Sequence, residues 1–206
     1  MYIPKYYQMH DYEEIKAFMK QYPFITMVTI SEGRPIASHI PVMVEEREEA
    51  LYLVGHLAKG NAQVETLNDN DQVLAIFHGP HDYISSSWYE TEDVPTWDYQ
   101  SVHAYGSSRL QSHDELAEAL EKLLDHYEGH RENGATWDQL SEQTKKQIHG
   151  IEGFEIKITE IEAAYKLSQT RSNVDKERIA TELIKKGSYD AIKLAKEIKK
   201  DKNHFS

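Results

Sequence analysis

The chain of 206 residues contains no cysteine. That excludes disulfides, thiolate metal sites and a thiol nucleophile, and it agrees with a reducing cytoplasm. Long apolar runs are also missing: no stretch approaches the ~20 consecutive apolar residues that a spanning helix requires. The first residues, Met1-Tyr-Ile-Pro-Lys-Tyr-Tyr7, show no basic segment ahead of an apolar one. The expectation is a soluble, unprocessed, cytoplasmic chain with no membrane partner. Positive charge is scarce in the body. Residues 1–110 carry seven Lys and Arg against sixteen Asp and Glu, and residues 111–171 carry seven against thirteen. Only residues 172–206 reverse the balance, nine against six, within a net charge of −12. An acidic body repels polyanions, so DNA binding is disfavoured except through the mildly basic tail. Between Arg47 and Arg109 the only Lys or Arg is Lys59, which singles that residue out.

What is present is a series of short β-type segments. Residues 22–30 are rich in β-branched and aromatic types and stop at the turn Ser31-Glu-Gly-Arg-Pro35. The next run alternates, with Ile36, Ile40, Val42 and Val44 on one face and Ala37, His39 and Met43 on the other. Residues 45–49 make an acidic turn before a strand at 51–54 that Gly55 ends, and another strand at 73–77 runs into Gly79-Pro80. Period-2 spacing returns at Tyr99, Ser101, His103 and Tyr105. Strands this closely spaced, without crossover helices between them, favour an antiparallel barrel. After Arg109 the period becomes helical, opened by the capping box Ser112-x-x-Glu115. Thr136-x-x-Gln139 is expected to open a second helix reaching about Gly150, followed by a strand at 153–158. Residues 174–200 read as two helices joined at Lys186-Gly-Ser188, with Ser188 as N-cap of the second and Ser172 or Asn173 as a cap for the first.

Several segments could carry chemistry. Gly55-His-Leu-Ala-Lys-Gly-Asn-Ala-Gln63 offers glycines, the donors Lys59, Asn61 and Gln63, and a helix start near Asn61, features that suit a phosphate monoester. From spacing alone, a plain strand-to-helix connection with a solvated lysine is the reading favoured over it. The aromatics between 83 and 105, Trp97 among them, could wall a planar heteroaromatic ligand, or form core or a dimer interface. His78-x-x-His81 is a close imidazole pair, but Gly79-Pro80 between them breaks any helix that would set both on one face. Lys166-Leu-Ser-Gln-Thr-Arg171 can close over a phosphate, cap a partner subunit, or serve as a polar loop. The terminal helices invite a helix-turn-helix reading through Lys193, Lys196, Lys199, Lys200 and Lys202, which the apolar Ile192, Leu194, Ala195 and Ile198 oppose in favour of packing.

Taken together, Met1-Tyr-Ile-Pro-Lys5, Ala37-Ser-His-Ile-Pro41, Gly55-His56, Gly79-Pro-His81, Tyr83-Ile84 through Ser87-Trp-Tyr89, Pro95-Thr-Trp97, Gly153-Phe154 and Lys166-Leu-Ser-Gln169 resemble the PaiB family over nearly the whole chain. The resemblance implies a β-rich α+β fold. Its core would be an FMN-binding split β-barrel over residues 1–170, with inserted helices at about 112–150 and a C-terminal helical hairpin at 171–206. It implies a homodimer with FMN at the subunit interface and a role as a negative transcriptional regulator tied to protease production and sporulation. The cofactor residues carried over are Ser38, His39, Lys59, Asn61, Gln63, Trp97, Lys166, Gln169 and Arg171, with no metal and no assigned catalytic residue. Two positions depart from the pattern. Lys59 stands where arginine is frequent, a point charge in place of a bidentate fork, and Asp98 stands where asparagine is common, so it cannot donate to a flavin carbonyl. An FMN-dependent oxidoreductase is the competing reading, since such barrels host enzymes whose cofactor carries the hydride. A haem-binding split barrel is a further one.

Overall fold

A computed structural model describes residues 1–200; Lys202 of the helix-turn-helix reading lies outside the described residues. The fold is mixed α and β, with seven strands and five α-helices among the described residues. The strands are β1 (Phe24–Ser31), β2 (Arg34–Pro41), β3 (Met43–Arg47), β4 (Ala50–Ala58), β5 (Asn70–Ile84), β6 (Thr96–Leu110) and β7 (Ile151–Lys166). Their order in the sheet is β2-β1-β5-β6-β7-β4-β3. The two outermost strands, β2 and β3, are consecutive in the chain and separated only by Val42, so the sheet must curl to bring its ends to one corner, as in a barrel. The helices are α1 (Tyr12–Gln21), α2 (His113–Glu128), α3 (Glu142–Lys145), α4 (Asn173–Lys186) and α5 (Tyr189–Lys199).

The chain divides into two compact units, each assembled from separated segments. One comprises Pro23–Ile76 and Ala104–Ile161. Its hairpin β1–β2 turns at Glu32 and Gly33, both at positive φ, and pairs Thr26 with His39 and Met27 with Ser38. Ile25, Met27, Leu53, Phe154 and Ile156 are fully buried here, the inward half of each alternating strand. β4 does not end at Gly55 as expected but continues to Ala58 in register with β7. A Cβ at Gly55 would lie 2.8 Å from the Phe154 ring, so this glycine makes room for packing. Ser112 and Glu115 form the reciprocal capping box that opens α2. The expected helix from Thr136 to Gly150 is broken into a 3-10 turn at Trp137–Gln139, the short α3 and a second 3-10 segment at Lys146–Gly150. Thr136 makes no side-chain cap, whereas Ser141 accepts from the Thr144 amide.

The other unit comprises Met1–Tyr22, Phe77–His103 and the chain from Glu162 on. Met19, Phe77, Ile84, Ile179, Leu183 and Leu194 lie in its core. β5 runs through Gly79-Pro80 without stopping. β1 pairs with β5 only at Leu74, Ala75 and Ile76, so no β1 partner calls on the donor that Pro80 lacks. The terminal hairpin forms as the sequence predicts: Ser172 caps α4, Gly187 closes it in the left-handed conformation, and Ser188 caps α5. Ala191, Leu194, Ala195 and Ile198 of α5 are buried. Lys199 pairs with Glu177 at 2.9 Å and Lys200 pairs with Glu197, so this helix packs through its apolar face and spends two of its lysines on neighbouring carboxylates.

Candidate cofactor site

In the unit that holds β1–β4, three of the expected phosphate residues meet. Asn61 caps the 3-10 helix Ala62–Thr66, its Oδ1 accepting from the Gln63 amide at 2.9 Å, while its Nδ2 donates to Ser38 Oγ at 3.0 Å. The expected helix start near Asn61 is there, but five residues of 3-10 helix supply far less dipole than an α-helix of several turns. Gln63 is 2% exposed, and its amide nitrogen donates to Met27 O at 3.1 Å and Thr29 Oγ1 at 3.0 Å. It therefore braces the loop from beneath and turns no donor outward. Lys59 is half exposed, anchored by its backbone N–H to Gly150 O and facing Glu152 at 3.3 Å. An exposed pair of this kind is worth only ~0–1 kcal/mol, which a dianionic phosphate can displace. Gly60 has open space where a Cβ would stand, so no close backbone approach demands a glycine there. His39 does not join the set: it alternates with Ser38 on β2 and faces outward, its Nδ1 3.0 Å from Thr26 Oγ1 and its ring stacked near Phe24.

In the other unit the aromatic residues gather as a surface cluster. Trp97 is 55% exposed, edge-on to Tyr83 at 6.1 Å and 6.3 Å from the His81 ring. His78 and His81 stack at 4.4 Å despite Gly79-Pro80, because the segment is strand and never needed a helical face. Burial, with help from neighbouring His81, lowers the His78 pKa and favours the neutral ring. Among the described residues no group of three or more His, Cys, Asp or Glu could hold a metal ion. Lys166 donates to Thr96 Oγ1 and sits 5.8 Å from the Tyr7 ring. Arg171 lies 4.0 Å over the Tyr89 ring and 2.5 Å from Asp93. Gln169 turns back on its own segment, accepting from the Leu167 amide at 2.7 Å and donating to Tyr165 O, so it acts as a local brace.

Asp98 carries a role beyond its departure from the asparagine common at its position. It is fully buried, it accepts from Ser168 Oγ at 2.6 Å, and its other oxygen has no partner among the described residues. Burial pushes its carboxyl up to about 6 against the opposing pull of the Ser168 hydroxyl, Lys166 and Arg171. Ser168 itself holds φ at +55°, so this bond secures a turn in the left-handed region. The signal was present in the even-numbered alternation of β6, which sends Asp98, Gln100, Val102 and Ala104 inward together.

The curled antiparallel sheet, its end strands β2 and β3 meeting at one corner, defines the class of split barrels. Two solved structures share the fold. A FAD- and haem-binding protein from Mycobacterium smegmatis has a TM-score of 0.62 at 17% identity, over 84% of this chain and 79% of that one. The flavocytochrome Anf3 from Azotobacter vinelandii has a TM-score of 0.61 at 16% identity, over 80% and 72%. The family model described as "Putative FMN-binding domain" matches residues 1–160, and the chain belongs to that family. It is 44% identical to the Protease synthase and sporulation protein PAI 2 of Bacillus subtilis over 98% of both chains, and is thus a PaiB homologue whose cofactor is FMN.

Proposed function

We propose that the protein binds FMN as a cytoplasmic homodimer and acts as a negative regulator, as its resemblance to the PaiB family implies, connected with protease synthesis and sporulation, the processes in the name of its Bacillus relative. The observation that carries the reading is the linked set at the end of β4. Lys59 is the one Lys or Arg between Arg47 and Arg109, and Ser38 and Asn61 are tied beside its loop in a body that otherwise repels anions. This donor chemistry fits a phosphate monoester. Lys59 supplies charge, Ser38 retains a hydroxyl proton to donate, and Asn61 holds Ser38 in place. In the other unit, taken by itself, the exposed Trp97 offers a face on which a flat conjugated ring can stack. In that same unit Lys166 and Arg171 put positive charge on the segment that Asp98 and Ser168 secure. Bound FMN would supply reversible hydride or electron chemistry, and the residues described bind and orient it.

The homodimer is supported by the outward face of the β1–β2 hairpin. Phe24, Ile30, Pro35, Ala37 and Pro41 are exposed there and no charged side chain interrupts them. Regulation is read as indirect, because α5 is occupied with packing and its Lys199 and Lys200 are paired.

Titration of the purified protein by flavin fluorescence tests the site. Lys59→Ala should weaken FMN binding about tenfold while the dimer persists by light scattering, since a charge-assisted bond contributes about 1.5–3 kcal/mol. Unchanged affinity removes Lys59 from the phosphate site. A Soret band in the visible spectrum, without flavin bands after FMN is added, would favour haem instead. FMN-stimulated turnover of NAD(P)H would favour the oxidoreductase.

A further inference from the structure

The unit formed by Pro23–Ile76 and Ala104–Ile161 carries a cleft of about 390 Å³ that the flavin reading does not use. Tyr52 and Lys157 lie directly opposite each other across β4 and β7, Ser107 comes from β6, and the turn entering β5 adds Asp69 and Asp71. Tyr52 and Ser107 each alternate with buried neighbours, so the cleft opens on the outward face of the sheet. It sits near the start of β4, whereas Lys59 follows the end of that strand.

The charges along its floor are already spent on one another. Glu155 accepts from Arg109 Nε at 3.0 Å and from Arg47 Nη1 at 2.8 Å, and the Arg47 guanidinium lies 4.7 Å from the centre of the Tyr52 ring. The remaining charges are not. Among the described residues the Lys157 ammonium has neither an ion pair nor a hydrogen bond, and the carboxylates of Asp69 and Asp71 have no partner. Lys157 thus shares a cleft with two carboxylates and pairs with neither. The turn that carries those carboxylates is braced: Asn70 Nδ2 donates to Thr66 O at 2.6 Å, its Oδ1 accepts from the Gln72 amide at 2.9 Å, and Ser108 Oγ donates to Leu67 O at 2.9 Å. A frame held in this way lowers the ordering cost of binding.

Unpaired charges of opposite sign in one cleft select a ligand that carries both. A simple cation gains the aspartates but meets Lys157, a simple anion meets the reverse, and a zwitterion charged at its two ends satisfies all three. Tyr52 adds a flat apolar contact, and the Ser107 hydroxyl can donate or accept. At ~30 Å³ per water the cleft displaces about a dozen waters, the size of a dipeptide of small residues.

We infer that this cleft binds a short zwitterionic peptide, its terminal ammonium at Asp69 and Asp71, its terminal carboxylate at Lys157 and its backbone against Tyr52 and Ser107. The inference does not rest on flavin binding.

Calorimetric titration of the full chain with L-alanyl-L-alanine at low salt tests it. Two blocked probes accompany the dipeptide: N-acetyl-L-alanyl-L-alanine, which lacks the ammonium, and L-alanyl-L-alaninamide, which lacks the carboxylate. Saturable one-to-one binding of the free dipeptide with a Kd of about 1 mM is expected. Each blocked peptide should bind about three- to fivefold more weakly, the advantage an exposed ion pair confers. Lys157→Gln should bring the dipeptide down to the affinity of the amide and leave the amide itself unchanged. Asp69→Asn combined with Asp71→Asn should bring it down to the affinity of the acetylated peptide. All three side chains are exposed and unpaired, so the unfolding midpoint of these variants should not move. Absence of saturable heat, equal affinity for the blocked peptides, or dipeptide binding undiminished by Lys157→Gln would each overturn the inference.

Discussion

Asp98→Asn should make this protein more stable at neutral pH, although it removes a charge and a conserved-size carboxylate bond partner of Ser168. In the unfolded chain an aspartate titrates near 3.9; in the folded protein burial pushes Asp98 up to about 6. A raised carboxylate inverts the usual sign. The folded state then holds its proton more tightly than the unfolded one, so this group favours folding below about pH 4. Its contribution is lost progressively up to pH 6 and stays lost above. The gap corresponds to about 3 kcal/mol. Asparagine mimics the protonated acid, since its oxygen can still accept from Ser168 Oγ, and it escapes the desolvation cost at every pH. Urea denaturation should therefore show the variant more stable by about 3 kcal/mol at pH 8, with the difference shrinking below about 1 kcal/mol near pH 4.5. In thermal unfolding that is a rise of about 6–12 °C for a chain of this size at the higher pH. An equal stability difference at both pH values, or none at pH 8, would refute the assignment of a buried, strained carboxylate.

Three other outcomes follow from packing and hydrogen bonds. Gln63→Leu keeps volume but removes the donor to Met27 O and to Thr29 Oγ1, the latter keeping its bond with Thr66 Oγ1, and should cost about 2 kcal/mol by urea midpoint. Gly106→Ala places a Cβ 2.3 Å from the backbone oxygen of Lys157 and should cost about 3 kcal/mol, read from the same transition. Ser112→Ala breaks the capping box of α2 and should cost about 1 kcal/mol, visible as a small fall in thermal midpoint with helical circular dichroism largely retained.

What could be read from residues alone was the punctuation that acts locally. Ser112, Ser172, Gly187 and Ser188 each bound their helices where their side chains or φ preferences dictate. Strand length could not be read the same way. Gly79-Pro80 and Gly55 are stop signals for an isolated segment, yet both lie inside strands, because a missing ladder partner and the Phe154 ring give each a reason to be there. Residues 136–150 show the converse, a helical opening that tertiary context divides into three short pieces. In the site, the isolation of Lys59 and the Asn61 cap were legible. The alternation that turns His39 away from Ser38 was legible too, and it argues against grouping those neighbours. The inward turn of Gln63 was not, since its acceptors lie 34 and 36 residues away.

Each compact unit closes only when distant stretches of chain arrive: one needs Met1–Tyr22 together with Phe77–His103 and the segment that begins at Glu162, the other needs Pro23–Ile76 together with Ala104–Ile161. During synthesis the unit of the early strands can close only once the chain has reached Ile161, and the other only after the segment from Glu162 has followed, so the early strands wait with their apolar faces uncovered. Maturation is then dominated by long-range pairing and is correspondingly slow. No single cut in the gene can yield either half as a continuous, self-sufficient fragment.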